Sequence, residues 1–318
     1  MLRYILRRIL NLIPVLLIIS IILFGMSEAM PGNPIDSMIP QNIQSETQRE
    51  ALRKTLTEKY NLDGKFHERY IGWLTRVFQG EFGQSTQYQK DVSKVIGVPL
   101  RNTLILNLGS TIIAFFLSLI IGIKSAIRKG KFYDKFWQVF SLAGISLPTF
   151  FTAMILIYIF AIKLNWLPAG SMPIENTVGE WIRYLILPTI TLTIGSLAST
   201  SRYVRNSMID ALSQDYIRTA RAKGLSEKTV IYSHAFRNAL IPVVTVVAWS
   251  LTGLLSGAAV TEELFAYNGI GKHFLASVLA RDYNVIMTLN MMYSVLAVAG
   301  NLLMDIGYSL VDPRVKLQ

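Results

Sequence analysis

Apolar residues in this chain come in long uninterrupted runs, with charged residues as punctuation between them. The charge-free stretches are 9–27, 102–123, 136–162, 184–201, 238–261 and 283–304, of 19, 22, 27, 18, 24 and 22 residues. A helix rising 1.5 Å per residue needs about 20 residues to cross a hydrocarbon layer roughly 30 Å thick. One such run fits a buried helix of a soluble domain. Six in succession predict an all-α polytopic membrane protein with six transmembrane helices.

The segments between the runs are unequal. Residues 31–98 form an insert too large for a turn, and its pattern predicts two short helices. Ser45 and Gln48 have the spacing of a capping box, followed by Leu52, Leu56 and Tyr60 at helical intervals. Phe66, Tyr70, Trp73, Leu74, Val77 and Phe78 make a second amphipathic pattern, with Gly80 placed to end it. The insert reads either as a lid bracing the first span or as a docking surface for a soluble partner. The chain thus divides into a tail and first span (1–30), a helical insert (31–98) and a five-span core (99–318).

Charge sets the orientation. With the N-terminus inside, segments 1–8, 124–135, 202–237 and 306–318 carry 17 basic and 5 acidic residues. The opposite segments, 28–101, 163–183 and 262–282, carry 14 basic residues and, apart from Glu28, 13 acidic ones. Nearly all of the +11 net charge therefore lies on one side, which predicts an N-in, C-in topology with the insert extracytoplasmic. The basic balance is a topogenic signal, not a nucleic-acid footprint. Arg7 and Arg8 before the first run resemble a signal peptide, with Ser27 and Ala29 at a faint cleavage spacing. The run is long and five more follow, so an uncleaved anchor is expected.

The spans offer little chemistry of their own. None carries an ionisable residue near its middle, where ion-coupled transporters commonly keep acids or broken helices; Glu28 and Asp305 sit at boundaries. No cysteine is present, which removes thiol catalysis, disulfides and Cys-based metal sites. The histidines are His67, His234 and His273, in no His-Glu-x-x-His pattern. Gly269-Ile270-Gly271-Lys272 is the nearest fragment to a phosphate loop, and it has the wrong spacing and no Ser or Thr. A secondary transporter and an intramembrane enzyme are both disfavoured. No cofactor is expected on the chain, and a nucleotide motor would have to be a separate subunit. Gly253 and Gly257 make a small-xxx-small pair for helix packing. Asn107, Asn290 and Asn301 either bond across helices, the preferred reading, or line a wet path. Pro14, Pro148, Pro188 and Pro242 lie at or near span ends and none is assigned as a hinge.

Segment 202–237 is the exception to this chemical silence. Ala211, Leu212, Tyr216, Ile217 and Ala220 continue a helix out of the fourth span; Gly224 can end it in a left-handed conformation, and Ser226 can cap a new helix over Glu227 to Ser233. That pattern projects a rigid knuckle on the inner side. Physics alone leaves it balanced between a lever for a partner and a basic loop facing lipid phosphates.

The residues then supply a resemblance. Tyr216-Ile-Arg-Thr-Ala-Arg-Ala-Lys-Gly224 and His234-Ala-Phe-Arg-Asn-Ala-Leu-Ile-Pro242 resemble the cytoplasmic loop of peptide permeases among binding-protein-dependent ABC importers. The general EAA positions read Arg218-Thr219-Ala220, a departure that the peptide subfamily shares. Met30-Pro31-Gly32-Asn33-Pro34, Gln79 to Ser85, Asn165 to Gly170, Leu187-Pro188, Arg281-Asp282-Tyr283 and Asp312-Pro313-Arg314 are similar to further family elements. So is Glu263-x-Phe265 with Gly269-Ile270-Gly271, although Asn268 stands where Pro is usual. The large insert favours the B-type subunit over its C-type counterpart.

The resemblance implies the permease fold of type I ABC importers and a multi-pass place in a bacterial or archaeal cytoplasmic membrane. It also implies a second, C-type permease, two ABC ATPases that carry ATP and magnesium, and an extracytoplasmic peptide-binding protein. Ala220, Arg221, Ala222, Gly224, Leu225, Ser226 and Lys228 would form the coupling contact with an ATPase. Arg218, Arg221 and Lys223 either pair with acids there or solvate the loop. Oligopeptides or dipeptides are the implied substrates, with nickel, glutathione or sugar derivatives as alternatives within the family.

Overall fold

The computed structural model describes residues 2–29, 39, 43, 45–60, 64–175, 177–240, 243, 253–255 and 257–311. Among them the elements are helical: α1 (Leu2–Ala29), α2 (Glu46–Tyr60), α3 (Phe66–Phe78), α4 (Val92–Ile127), α5 (Phe132–Ser146) and α6 (Thr149–Lys163). They continue as α7 (Val178–Leu212), α8 (Asp215–Ala222), α9 (227–240), α10 (Ala259–Leu264), α11 (Ile270–Ala280) and α12 (Tyr283–Val311). Four helices are long and apolar enough to cross a membrane, α1, α4, α7 and α12, and the bent pair α5–α6 makes a fifth candidate. Half of the expected span 238–261 lies outside the described residues; in the other half, 253–255 form a turn and Gly257 has φ +77°, so those positions do not continue one helix.

Helix ends differ instructively from the charge-free runs. The run 102–123 lies inside a 36-residue helix, and 184–201 inside a 35-residue one. Lys94, Arg101, Arg202 and Arg205 are ordinary helix formers, so charge marks where hydrocarbon stops and not where the helix stops. The expected third span breaks in its interior: α5 and α6 meet at 107°. Leu147 is extended (φ −81°, ψ 129°) because the following proline disfavours the helical region. Pro148 itself starts α6. Pro14 and Pro188 lie well inside α1 and α7. The end-of-span reading is therefore corrected for Pro148; Pro14 and Pro188 remain near the ends of their charge-free runs, inside helices that extend past those runs.

α4 and α7 form the spine. Along α4, Ser110, Ala114, Ser118, Gly122 and Ala126 recur every four residues and are all buried. They face Leu197, Ser201, Val204, Met208 and Ala211 of α7, also buried. The approach is so close that a Cβ on Gly122 would lie 2.6 Å from Val204 and 2.9 Å from the Ser201 carbonyl. Such a ladder is how helices associate where lipid removes the hydrophobic drive. Thr193 adds a bond to the Ser110 carbonyl across the pair (3.4 Å).

Polar anchors close both ends of the spine. Next to the turn after α4, Arg205 grips Asp134 through Nε (2.5 Å) and Nη2 (2.8 Å), while Gly130 N–H donates to the same carboxylate (2.9 Å). At the other end lies Glu262, fully buried. Its carboxylate accepts from Thr103 Oγ1 (2.7 Å) and from the N–H groups of Lys272 (2.9 Å) and Ala258 (3.4 Å). It thus sits at the N-terminal turn of α11, where backbone donors favour negative charge. Thr103 Oγ1 also accepts from Ile270 N–H (2.8 Å), and Tyr267 donates its hydroxyl to the Asn102 carbonyl (2.8 Å). Burial, then the Glu262 charge, pushes the Tyr267 phenol above its ordinary range and keeps it a donor.

Sequence elements far apart converge at this end. Ser85 donates its hydroxyl to Asp282, which also accepts from Gln87 N–H (3.2 Å) and Val285 N–H (3.4 Å). Gly170 lies against the Phe265 backbone, and Ser171 N–H donates to the Phe265 carbonyl (2.7 Å). Asn268, the departure from Pro, bonds His273 Nε2 through its side chain (2.7 Å), an interaction a proline has no group to make. Of the neighbouring acids, the motif reading chose Glu263. That side chain is half exposed with Lys272 Nζ 3.6 Å away, and Glu262 carries the packing.

The insert braces the first span. Phe24 of α1 packs against Phe66, Tyr70 and Trp73 of α3 at ring distances of 5.4–5.7 Å. Ser20 bonds the Tyr70 hydroxyl (2.7 Å), and Glu28 pairs with Arg69. The Schellman ending of α3 uses Gly80 at φ +79°, with Glu81 N–H on the Arg76 carbonyl.

Two substitutions test the anchors. Thr103→Val should leave Ile270 N–H and one Glu262 oxygen short of a partner, at about 1–3 kcal/mol each. The melting temperature of the purified assembled complex should fall and Thr103→Ser should restore it; an unchanged Thr103→Val midpoint would refute the anchor. Asp134→Asn should cost about 3 kcal/mol, the low end for a broken buried pair because Arg205 keeps some contact with water. Part of that loss should return in Asp134→Asn combined with Arg205→Met, and equal melting of Asp134→Asn and parent would remove the pair from the account.

Candidate functional site: an exposed knuckle at the end of the spine

α7 does not run unbroken into the knuckle. It ends at Leu212, the chain turns through Ser213 and Gln214, and α8 begins at Asp215. The apolar residues at this end then divide by face. Ile217 and Ala220 of α8, and Val230, Ala235, Ala239 and Val243 beyond it, are buried against Ile123 and Ala126 of α4 and Val204, Met208 and Ala211 of α7. The segment is therefore a packed extension of the spine.

Its tip is built by two caps. α8 closes in a Schellman motif: Gly224 N–H donates to the Arg221 carbonyl (2.9 Å) and Leu225 N–H to the Ala220 carbonyl (3.3 Å). Gly224 has φ +77°, as expected of it, and a Cβ there would meet no atom within 4 Å. The need for glycine is thus conformational, and the backbone at the tip is open to a partner. Ser226 accepts from Thr229 N–H (3.3 Å) and starts α9, as its position predicted. Between Val230 and Ala235 this helix widens to a π turn. A π turn places residues five apart over one another, which puts both buried ends of that stretch on the core side.

The expected coupling residues separate in a definite way. Arg221, Ala222, Gly224, Leu225, Ser226 and Lys228 are exposed and contiguous, with Lys223 among them. Ala220 is buried, because helical spacing puts it on the face with Ile217; its place is under the knuckle and not on it. Arg221 is already engaged: its Nε and Nη2 hold Glu227 at 2.7 and 3.2 Å across the tip. Hydrogen bonding from that guanidinium keeps the Glu227 carboxyl below the usual carboxylate range. Arg218 lies 3.4 Å from Asp215. The tip therefore presents a braced ion pair, the Lys228 ammonium and a half-exposed Leu225.

Elsewhere the outcome is mixed. Gly253 lies in a turn and Gly257 in irregular chain at φ +77°, so the two do not share a helix face. Gly257 does permit a close approach: a Cβ there would come 2.6 Å from Gly271 N. The small-residue ladder belongs to α4, and its four-residue repeat was readable in the sequence. Asn107 donates to the Leu254 carbonyl (2.8 Å), a packing bond made to a turn and not to a second helix. Among the described residues no group of three or more His, Asp or Glu could hold a metal ion.

Comparison with known proteins gives a consistent result. A family model described as the binding-protein-dependent transport system inner membrane component matches residues 100–317, and its N-terminal companion matches residues 1–106. The oligopeptide transport system permease protein AppB of Bacillus subtilis (strain 168) is 40% identical over 317 residues, covering 98% of this chain and 99% of the relative. The glutathione transport system permease protein GsiC of Salmonella typhimurium (strain LT2) is 36% identical over 318 residues, covering 99% of each. A crystal structure of an amino acid ABC transporter superposes with a TM-score of 0.53 at 14% identity, over 69% of this chain and 94% of that one, a likeness of fold. The chain belongs to the binding-protein-dependent transport system inner membrane component family: it is a permease of an ABC importer, a transport component of the inner membrane and not a catalytic subunit.

Proposed function

We propose that this chain forms half of the translocation pathway of a peptide importer and receives its power stroke through the knuckle 221–228. The observation that carries the coupling reading is the two-sided build of that segment: an exposed, doubly capped tip on an apolar underside packed onto α4 and α7. A lever must be rigid toward its own spans and open toward its partner. The partners are a C-type permease, two ATPases that hold ATP and magnesium, and an extracytoplasmic binding protein that brings the solute. The topology that fits is six spans of the type I importer kind, N-in and C-in, with the fifth drawn from the run 238–261 ahead of the turn at 253–255. The excess of 17 basic over 5 acidic residues on the knuckle side supports that orientation. Peptides are the substrate class favoured by the first of the two named relatives and by the form of the loop motif. The glutathione system at 36% identity keeps a short γ-linked peptide in view.

In this scheme ATP binding draws the paired ATPases together, the knuckle follows, and α7 with α4 moves as one body to open the pathway outward. Hydrolysis resets it. Nucleotide can do this only through different affinities for the two conformations.

Two measurements test the proposal. Gly224→Asn should retain transport, because Asn tolerates the left-handed region. Gly224→Val should strain the tip by about 1–2 kcal/mol. Gly224→Pro, which forbids φ +77° and removes the N–H bonded to Arg221, should hydrolyse ATP without uptake. Full uptake by Gly224→Pro at normal assembly would refute the coupling role. For the substrate, ATP hydrolysis by the assembled complex in nanodiscs should rise with a mixed-length peptide pool only when the binding protein is present. A response to glutathione or nickel alone would keep the machine and change its cargo.

A further inference from the structure

The insert helix α3 has an apolar edge that its packing on α1 does not use. At 100° per residue, Phe66, Tyr70 and Trp73 lie together and cover Phe24. The arc continues past them through Leu74 to Phe78 and Ile71, with His67 on the same stripe one turn before Ile71. Phe78 is 82% and Ile71 58% exposed. Arg76 lies on the opposite side and Glu68 and Thr75 border the arc, so the helix is amphipathic with only half of its apolar face covered.

Its height relative to the hydrocarbon is fixed twice. The charge-free run of α1 is 9–27, 19 residues, about the length that fills the layer, and Glu28 follows it. α3 crosses it at Phe24, four residues short of Glu28, or about 6 Å inward from that first charge. Tyr70 reaches further in, to Ser20, and Arg69 reaches out to Glu28. Independently, Ser85, seven residues after Phe78, is bonded to Asp282, which immediately precedes the first residue of the Tyr283–Leu302 span. Asn284 donates to the Gln84 carbonyl (2.8 Å) at the same level. The flanks of α3 are therefore tied at the edge of the hydrocarbon, not above it. α1 presents exposed Ile18, Ile22 and Met26 over the same depth, an outward apolar surface at the level of that edge.

We infer that α3 is an interfacial membrane helix, with its Ile71–Leu74–Phe78 edge seated among the lipid headgroups and upper acyl chains beside the Ala29 end of α1. Helices of this kind bury an apolar face about 5–10 Å into that boundary, the depth at which Phe24 holds α3. The covering partner is phospholipid. Arg76 faces away from it and Glu68 and Thr75 border it on the water side, so this half of the insert presents its polar side to water and to anything docking from there. Truncating Phe78 should accordingly loosen the insert from the membrane without touching its contact with Phe24.

Because the chain has no cysteine, single labels can be placed directly. Ile71→Cys, Phe78→Cys and Glu68→Cys are each spin-labelled in the complete complex, with cysteine-free partner subunits. The complex is held in nanodiscs of phosphatidylethanolamine and phosphatidylglycerol. Collision with oxygen, which concentrates in lipid, is then compared with collision with a water-soluble nickel chelate. The labels at 71 and 78 should favour oxygen several-fold and the label at 68 should favour nickel. Nickel preference at both 71 and 78 would place the edge in water and overturn the inference. Weak collision with both reagents would do the same by showing a protein cover, whether the second permease or a docked partner. The readout needs no transport substrate, so it stands apart from the coupling test.

Discussion

The approach of α4 to α7 is the constraint on which the rest of the molecule depends. In a bilayer, two helices gain nothing by hiding leucines from lipid, so a lasting pair must come from surfaces that fit closely. The Ser110–Ala114–Ser118–Gly122–Ala126 ladder supplies that fit over about 24 Å of helix at 1.5 Å per residue. Gly122 is its tightest point, because no larger residue fits beside Val204. α5 joins this pair by the same means: a Cβ on Gly144 would lie 2.8 Å from the Ala198 methyl group. The bundle is therefore organised by small residues, with bulky ones turned outward to lipid or to other subunits.

Charge does the complementary work at the ends. Among the described residues three carboxyl side chains are fully buried, Asp134, Glu262 and Asp282, and none lies midway along a long helix. Asp134 is held by a two-point guanidinium pair; Glu262 and Asp282 are held by hydroxyls and backbone N–H groups. Satisfied buried polar networks of this sort fix one arrangement, because any displacement leaves several groups unpaired at once. Packing along the spine and polar anchoring at its tips make one body of α4, α7, the turn 128–134 and the segment 258–272.

Much of this was legible in the sequence, and the remainder was hidden for identifiable reasons. The long apolar runs gave the helices, and Gly80, Gly224 and Ser226 gave the caps, because both signals are local. Helix ends eluded the charge pattern, since Arg and Lys are as comfortable in a helix as leucine. The α5–α6 bend was hidden because Pro148 stands in a continuous apolar run, whereas Pro14 and Pro188, in similar runs, are carried inside their helices. Ala220 could be placed under the knuckle only by seeing which face α4 and α7 cover. The Glu262 anchor and the Ser85–Asp282 bond join residues 159 and 197 positions apart, and no periodicity reports such pairings.

These features locate where conformational change can occur. A block held by interlocked small residues and by fully bonded carboxylates resists internal deformation, and packed interfaces switch between discrete arrangements instead of bending continuously. If the knuckle receives force, α7 must carry it, because Ile217, Val230 and Ala235 are packed on the same α4–α7 core as Met208 and Val204. Motion would then fall at the boundaries of the block: between α4–α7 and the α1–α3 unit, and at the 107° break before α6. That division also explains why the chain needs no ionisable group in mid-span. On the proposed coupling, the energy of transport would enter as a difference in partner affinity at an exposed tip, and the membrane-embedded residues would have only to move together.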